Sequence, residues 1–353
     1  TRSKAIRPPA DALRAMPAVV LITGVSRYLG GAFARALSQV EDGPRRIIGV
    51  DVIPPPHAIG RAEFLRADIR SPMIGKIIDG SEVDTVVHMG VIATPIASGG
   101  RATQKEINVI GTMQLLAACQ KAPSVQRLVV KSTAGVYGSS HRDPAMFTED
   151  MAAKRLPNVG FGKDSVEVEA YVRGFARRRP DVGITMLRLA NVIGPQMKTA
   201  MTDYFRLPVI PIPLGWDARL QFVHEEDVAR AVVAATLGPA AGTVNVAGSG
   251  IITVSQAVSL AGRPFLKIPG PASRALSGVF KRTGLIDFSP EQLDLLVYGR
   301  GLDTTRMREV LGFEPHFTTR EAFEDFVYSA PRPIDTAMHS AAGLAEAAGL
   351  WLR

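Results

Sequence analysis

The stretch Thr23-Gly24-Val25-Ser26-Arg27-Tyr28-Leu29-Gly30 follows a short apolar run, PAVVLIT (17–23), and opens a helix-like segment, LGGAFARALSQV. A glycine turn between a strand and a helix start can hold an anion. The first backbone N–H groups of a helix lack partners within it, and its dipole puts positive charge at that end. Gly24 suits the tight turn, and Gly30 lets the helix lie close to the strand. Asp51 closes the next apolar run, RIIGVD (46–51), about 20 residues on, where a carboxylate can take ribose hydroxyls and repel a 2′-phosphate. The pattern describes a dinucleotide site with its pyrophosphate at the helix N-terminus, favouring NAD over NADP.

Other residues with chemical potential read more plainly. Cys119, in LLAACQKAP, is the single cysteine; it reads as a buried helical residue, rules out an internal disulfide framework and suits a reducing cytoplasm. Arg173, Arg177, Arg178 and Arg179 precede Pro180, where cations in a last helical turn complement its dipole. The formal charge of +8 suits nucleic acid, an anionic surface or a phosphate-bearing ligand. No aromatic-interleaved basic stripe or zinc-ligand spacing supports nucleic-acid binding, and no metal site is expected. No apolar run approaches the roughly 18 residues of a membrane span. The segment 1–16 lacks the charged-then-apolar order of a secretory signal. These features predict a soluble, cytoplasmic chain.

The elements that would position the turn alternate along the chain. AEFLRAD (62–68), VDTVVHM (83–89), RLVVKST (127–133) and GITMLRL (183–189) read as buried strands, with helices near 101–121 and 162–179 between the later ones. Continuous apolar strands alternating with helices predict an α/β fold, a Rossmann-type doubly wound parallel sheet. From about residue 195 the chain turns Pro-rich, and EEDVARAVVAAT (225–236) follows. The predicted organisation is a basic tail (1–16, with Arg2, Lys4, Arg7 and Arg14) and an NAD-binding Rossmann domain (17–195). A smaller interleaved C-terminal α/β substrate lobe (mostly 196–330) follows, partly returning to the sheet domain. An amphipathic tail (331–353) carries Ile334, Met338, Ala341, Ala345 and Leu352 at helical spacing. Either tail could meet a protein or a membrane surface; packing on the body is the simpler expectation for the C-terminal one. The cleft between the lobes is the expected ligand site.

In order along the chain, these motifs resemble the extended branch of the short-chain dehydrogenase/reductases, the NAD-dependent epimerase/dehydratase family typified by UDP-galactose 4-epimerase. That family writes the turn TGxxGxxG, so Arg27 stands at its middle glycine. The resemblance implies cofactor contact by Gly24, Ser26, Arg27 (through its backbone N–H), Tyr28, Leu29, Gly30 and Asp51. ADI (67–69) implies adenine contact by Asp68 and Ile69, and HMG (88–90) a turn over the cofactor with Met89, Gly90 and Val91. NVIGT (108–112) implies that Asn108 supports the central strand. STAGVYG (132–138) implies Ser132 beside the cofactor and Thr133 at the catalytic Ser/Thr position. LRLANVIGP (187–195) implies Leu189, Ala190 and Asn191 beside nicotinamide, with Asn191 also facing substrate. FVHEEDVARA (222–231) and VNVAGSG (244–250) match later landmarks.

The family's chemistry uses a Tyr-x-x-x-Lys pair: the phenolate takes a proton from a substrate hydroxyl, and the lysine holds the nicotinamide ribose and lowers the phenol's pKa. With the register set by Glu169 and Val172-Arg173, Phe161 occupies the tyrosine position and Ser165 the lysine position. Lys163 lies about 200° around the helix from each, and Tyr171 roughly 15 Å along it from Phe161. Tyr137 matches a family tyrosine with a packing role, which leaves His141, in GSSHRDP, as the nearest imidazole. General acid–base catalysis contributes on the order of 10²- to 10⁴-fold. Two readings follow. One is an NAD(H)-binding family member, catalytically inactive or atypical. The other is an active nucleotide-sugar epimerase, dehydratase or reductase using Thr133 and an unidentified base. Arg219, five residues before His224 where the family has four, is the candidate contact to a nucleotide-sugar diphosphate, and Arg300 lies near another family substrate position. The resemblance also implies a homodimer through the helices near 101–121 and 162–179.

Overall fold

A computed structural model describes residues 17–93, 99–157, 160–269 and 290–329. Both predicted tails lie outside the described residues. Apolar runs form β1 (Val19–Thr23), β2 (Arg46–Asp51), β3 (Glu63–Arg66), β4 (Thr85–His88), β5 (Arg127–Thr133) and β6 (Gly183–Leu189). Shorter strands follow: β7 (Asn191–Ile193), β8 (Ile210–Pro213), β9 (Arg219–Leu220) and β10 (Phe222–His224). The next strand, β11 (Gly242–Val246), returns to the main sheet, whose order is β11-β6-β5-β4-β1-β2-β3 with every pair parallel. This is the doubly wound sheet expected from the alternation.

The helices up to residue 237 are α1 (Tyr28–Ser38), α2 (Met73–Gly80), α3 (Arg101–Lys105), α4 (Thr112–Lys121), α5 (Gly160–Arg178), α6 (Ala200–Phe205) and α7 (Glu225–Leu237). A π-helical turn, Glu106–Gly111, joins α3 to α4. Alternate residues of a strand face opposite sides, so the sheet has two apolar faces. Val20, Ile22 and Val129 pack with Phe33 and Leu37 of α1 and with Val228 and Val232 of α7. Leu21, Val86 and Val130 pack with Ile74 of α2, Leu115 of α4 and Val172 of α5. Thus α7 and β11, which lie beyond residue 195, belong to the sheet domain. The smaller lobe has its own core, in which Phe205, Phe222 and Phe323 meet edge to face or tilted. No helix among the described residues is long and apolar enough to cross a membrane.

A buried ion pair ties α5 to the sheet. Arg188 of β6 donates to Glu169 of α5 through Nε at 2.9 Å and Nη2 at 2.7 Å, and both side chains are almost fully buried. Ser132 of β5 donates to the same carboxylate at 2.8 Å, and Arg173 adds a contact at 3.1 Å. Burial pushes the Glu169 carboxyl up, but the charge and hydrogen bonds of Arg188, with help from Ser132 and Arg173, hold it below the usual carboxylate range. The arginine cluster thus has structural work. Arg179 donates to the carbonyls of Cys119, Ala122 and Val125, closing the end of α4.

Removing one partner of a buried pair leaves the other charge uncompensated, so Glu169→Ala is expected to cost about 3–5 kcal/mol in urea unfolding. The pair's contribution is present above the unfolded carboxylate pKa of about 4.3 and is lost as pH falls through the lower folded value. The variant's stability should therefore fall less steeply than the parent's on acidification.

Candidate functional site

The glycine turn is shaped by contact between two chain reversals. Gly24 has φ +76°, and a Cβ there would lie 2.6 Å from Gly90 Cα, so the turns after β1 and β4 touch backbone to backbone. A Cβ on Gly30 would lie 2.2 Å from the Gly24 carbonyl oxygen. Below this turn His88 bridges Thr23 Oγ1 at 2.7 Å and Thr112 Oγ1 at 2.9 Å, and burial pushes its imidazole down to about 3, keeping it neutral. Arg27 caps α1 with φ −80° and ψ 148°, which any residue adopts; no glycine is needed there. Its N–H donates to Gly24 O at 3.2 Å. That bond closes the turn ahead of the helix. The N–H groups of Tyr28, Leu29 and Gly30 begin the helix and have no intrahelical acceptor.

The other cofactor candidates line the same edge of the sheet. Asp51 accepts from the N–H groups of Ser26 at 3.1 Å and Val52 at 2.8 Å, which fixes a carboxylate beside the turn. Asp68 is paired with Arg70 at 2.7 Å, and that hydrogen bond holds its carboxyl below the usual range. Ile69 is buried against Gly111, where a Cβ would lie 2.7 Å from Ile69 Cδ1. Asn108 is fully buried and brackets Ile92, accepting its N–H at 2.7 Å and donating to its carbonyl at 2.9 Å, which anchors the segment Met89–Ile92 after β4. Tyr28 turns away, donating to Glu225 of α7 at 2.9 Å. Leu189 and Ala190 are buried at the end of β6, and Asn191 begins β7 half-exposed.

At the end of β5, Thr133 Oγ1 accepts from Gly135 N at 3.0 Å, leaving its proton available. Ser132 faces the other side of the strand, toward Glu169. Tyr137 stacks on Phe147 at 4.6 Å and takes a bond from Arg188 at 2.8 Å, a packing role. On α5, Phe161 packs on the apolar cluster beneath α2, α4 and α5. Ser165 is buried, and its hydroxyl donates to the Phe161 carbonyl at 2.9 Å. Asp164 beside it is fully buried and held by Arg101 through both terminal nitrogens, at 2.5 and 2.7 Å. His141 is exposed, 6.2 Å from the Tyr298 ring. The structure thus brings together neither a phenol nor a cation at the two degenerate positions.

Arg300 and Arg219 do converge, through the backbone. The Arg300 N–H donates to the Arg219 carbonyl at 2.9 Å, and the Arg300 guanidinium donates to Gly138 O at 2.9 Å and Ser139 Oγ at 3.0 Å. Burial pushes Arg300 down to about 10. The Arg219 side chain is exposed on β9. A further cation, Lys131, lies on β5 two residues before Thr133 and on the same face. Its signal in the sequence is a charge inside the apolar run RLVVKST. The Tyr28–Glu225 and Arg101–Asp164 contacts join residues far apart in the chain, and no local pattern announces them.

A family model described as the NAD dependent epimerase/dehydratase family matches residues 20–247. An uncharacterized protein of Mycobacterium tuberculosis is 49% identical over 316 residues, spanning 88% of this chain and 83% of that protein. The fold is shared with MoeE5, solved in complex with UDP-glucuronic acid and NAD, at TM-score 0.67 and 22% identity over 88% of this chain and 98% of that one. It is also shared with a UDP-glucose 4-epimerase of Thermotoga maritima, solved with UDP-glucose, at TM-score 0.64 and 22% identity over the same shares. The chain belongs to the NAD-dependent epimerase/dehydratase family, within the extended short-chain dehydrogenase/reductases.

Because the Gly24 carbonyl is rigid backbone, Gly30→Ala is expected to lower the melting temperature and to open the turn. A thermal scan beside a binding titration with NAD+ should show both losses together.

Proposed function

We propose that this chain binds NAD(H) at the glycine turn and holds a nucleotide-sugar-like ligand, while lacking the family's Tyr/Lys proton transfer. The observation that carries the reading is at α5: Phe161 has no ionisable oxygen and packs, partly buried, against the core, and Ser165 spends its hydroxyl on its own helix. The cradle, by contrast, is intact, since a Cβ at Gly24 or Gly30 would overlap backbone that must lie close for the turn to form.

The N–H groups of Tyr28, Leu29 and Gly30 would take the pyrophosphate, and Asp51 the adenosine ribose. Asp68 and Ile69 would border adenine, and Met89, Gly90 and Val91 would pass over the cofactor. Leu189, Ala190 and Asn191 would border nicotinamide. When bound, this group supplies a hydride acceptor. Thr133 can orient a substrate oxygen but has no proton sink. Arg219 would be the contact to a ligand diphosphate, with Arg300 as a second substrate contact. Exposed Ile110 and Tyr171, on the two helices where family resemblance implies a dimer contact, support a homodimer.

Asp51 sets the cofactor preference, because its fixed carboxylate would face a 2′-phosphate across a short gap. Calorimetry on protein freed of carried-over cofactor should give micromolar or tighter NAD+ binding, and NADP+ binding weaker by about tenfold or more. Asp51→Asn should narrow that difference. No detectable binding at millimolar NAD+ would overturn the proposed function.

A further inference from the structure

Glu225 opens α7 with only 3% of its surface exposed. A carboxylate taken out of water has to be met by donors. Two distant parts of the chain meet this one. Tyr28, the first residue of α1, donates its hydroxyl to Oε1 at 2.9 Å. Gln196, just beyond the end of β7, donates its N–H to both oxygens, at 3.2 and 3.1 Å. The fit on that side is close: Gly194 has φ +154°, and a Cβ there would lie 2.5 Å from Glu225 Cδ.

The backbone that carries the carboxylate is itself fixed. His224 caps α7, its Nδ1 accepting the Glu226 N–H at 3.3 Å while its Nε2 meets Asp325 at 3.1 Å. His224 also ends β10, which runs parallel to β7 with Phe222 level with Asn191 and His224 level with Ile193. The apolar contact between α7 and α1 is made by Val228 and Val232 with Phe33 and Leu37, so the charge at 225 is not part of that packing. A buried charge is costly beside an apolar side chain of similar size. What the carboxylate adds here is a bridge between Tyr28 and Gln196.

Both ends of the bridge adjoin ligand positions. The Tyr28 N–H is one of the three at the start of α1 that would take the pyrophosphate, and Gln196 follows the substrate-facing Asn191 along the same segment. The geometry points to Glu225 as a positioning residue: its carboxylate links the cofactor's phosphate site to the segment behind Asn191, so that a bound dinucleotide steadies residues 194–197. This rests on the NAD(H)-binding reading above and adds to it a route from the cofactor to the substrate side. An anion on the first turn of α1 restricts Tyr28 and steadies the phenol–carboxylate bond. A carboxylate held on one side holds the Gln196 N–H more firmly on the other.

The test is hydrogen exchange on the full chain, following the Gln196 amide with and without saturating ADP-ribose. This probe carries the pyrophosphate and has no nicotinamide with which to touch the substrate side directly. In the parent, ADP-ribose is expected to slow exchange at Gln196 about fivefold or more. Tyr28→Phe keeps the ring and the backbone N–H but removes the hydroxyl; there the ligand should change the rate by about twofold or less. Glu225→Gln should keep the slowing, because its side-chain amide still accepts the Gln196 N–H and can donate to the phenol oxygen. A merely structural bond would lower the melting temperature of Tyr28→Phe and leave the ligand-dependent slowing intact, which would overturn the link. Unchanged exchange at Gln196 in a parent that binds ADP-ribose would also overturn it, while leaving NAD(H) binding in place. A parent that binds neither ADP-ribose nor NAD+ at millimolar concentration would overturn the link and the proposed function together.

Discussion

Taking a carboxylate and a guanidinium out of water costs several kcal/mol for each ion, and the cost is recovered only where geometry and added hydrogen bonds satisfy both. Glu169 and Arg188 meet that condition. The arginine donates twice to the carboxylate, Ser132 and Arg173 complete its shell, and the remaining arginine nitrogen reaches Tyr137 and the Glu149 carbonyl. One pair therefore joins β5, α5, β6 and the turn after β5. The carboxyl ends of β5 and β6 and the first turns of α5 are held by that joint. Thr133 follows Ser132 by one residue, and Phe161 and Ser165 precede Glu169 by two turns and one turn of α5.

This constraint explains how α5 keeps its place with Phe161 and Ser165 at those two positions. The helix is held to the sheet by Glu169 and apolar packing and to α3 by the Arg101–Asp164 pair, none of which needs Tyr or Lys at 161 and 165. Phe161 turns its position into packing surface, and Ser165 folds its hydroxyl back onto the helix. The glycine turn has a separate cause, the backbone contact of Gly24 with Gly90, and is insulated from those substitutions. The turn and the α5 positions therefore rest on different contacts.

Much of this was legible in the sequence. The apolar runs predicted the parallel sheet because buried strands and helix-period segments differ in length and pattern, and Gly24 and Gly30 carried the turn because only glycine fits those contacts. Tyr137 was placed as a packing residue on its motif alone. The rest depended on contacts that no spacing shows. The sequence does not show that the cap geometry brings the Arg27 N–H to the Gly24 carbonyl. Tyr28 reads as a cofactor neighbour, but its hydroxyl pairs with Glu225 across the fold.

The central claim is that a preserved cofactor cradle coexists with an absent proton relay. The most direct measurement is NADH absorbance after mixing NAD+-loaded protein with UDP-glucose or UDP-glucuronic acid in a single-turnover experiment, with Thr133→Ala in parallel. The account predicts bound NAD+ and no NADH formation above the Thr133→Ala background. NADH formation in the parent that Thr133→Ala abolishes would contradict it, because the site would then contain a base that neither Phe161 nor Ser165 supplies.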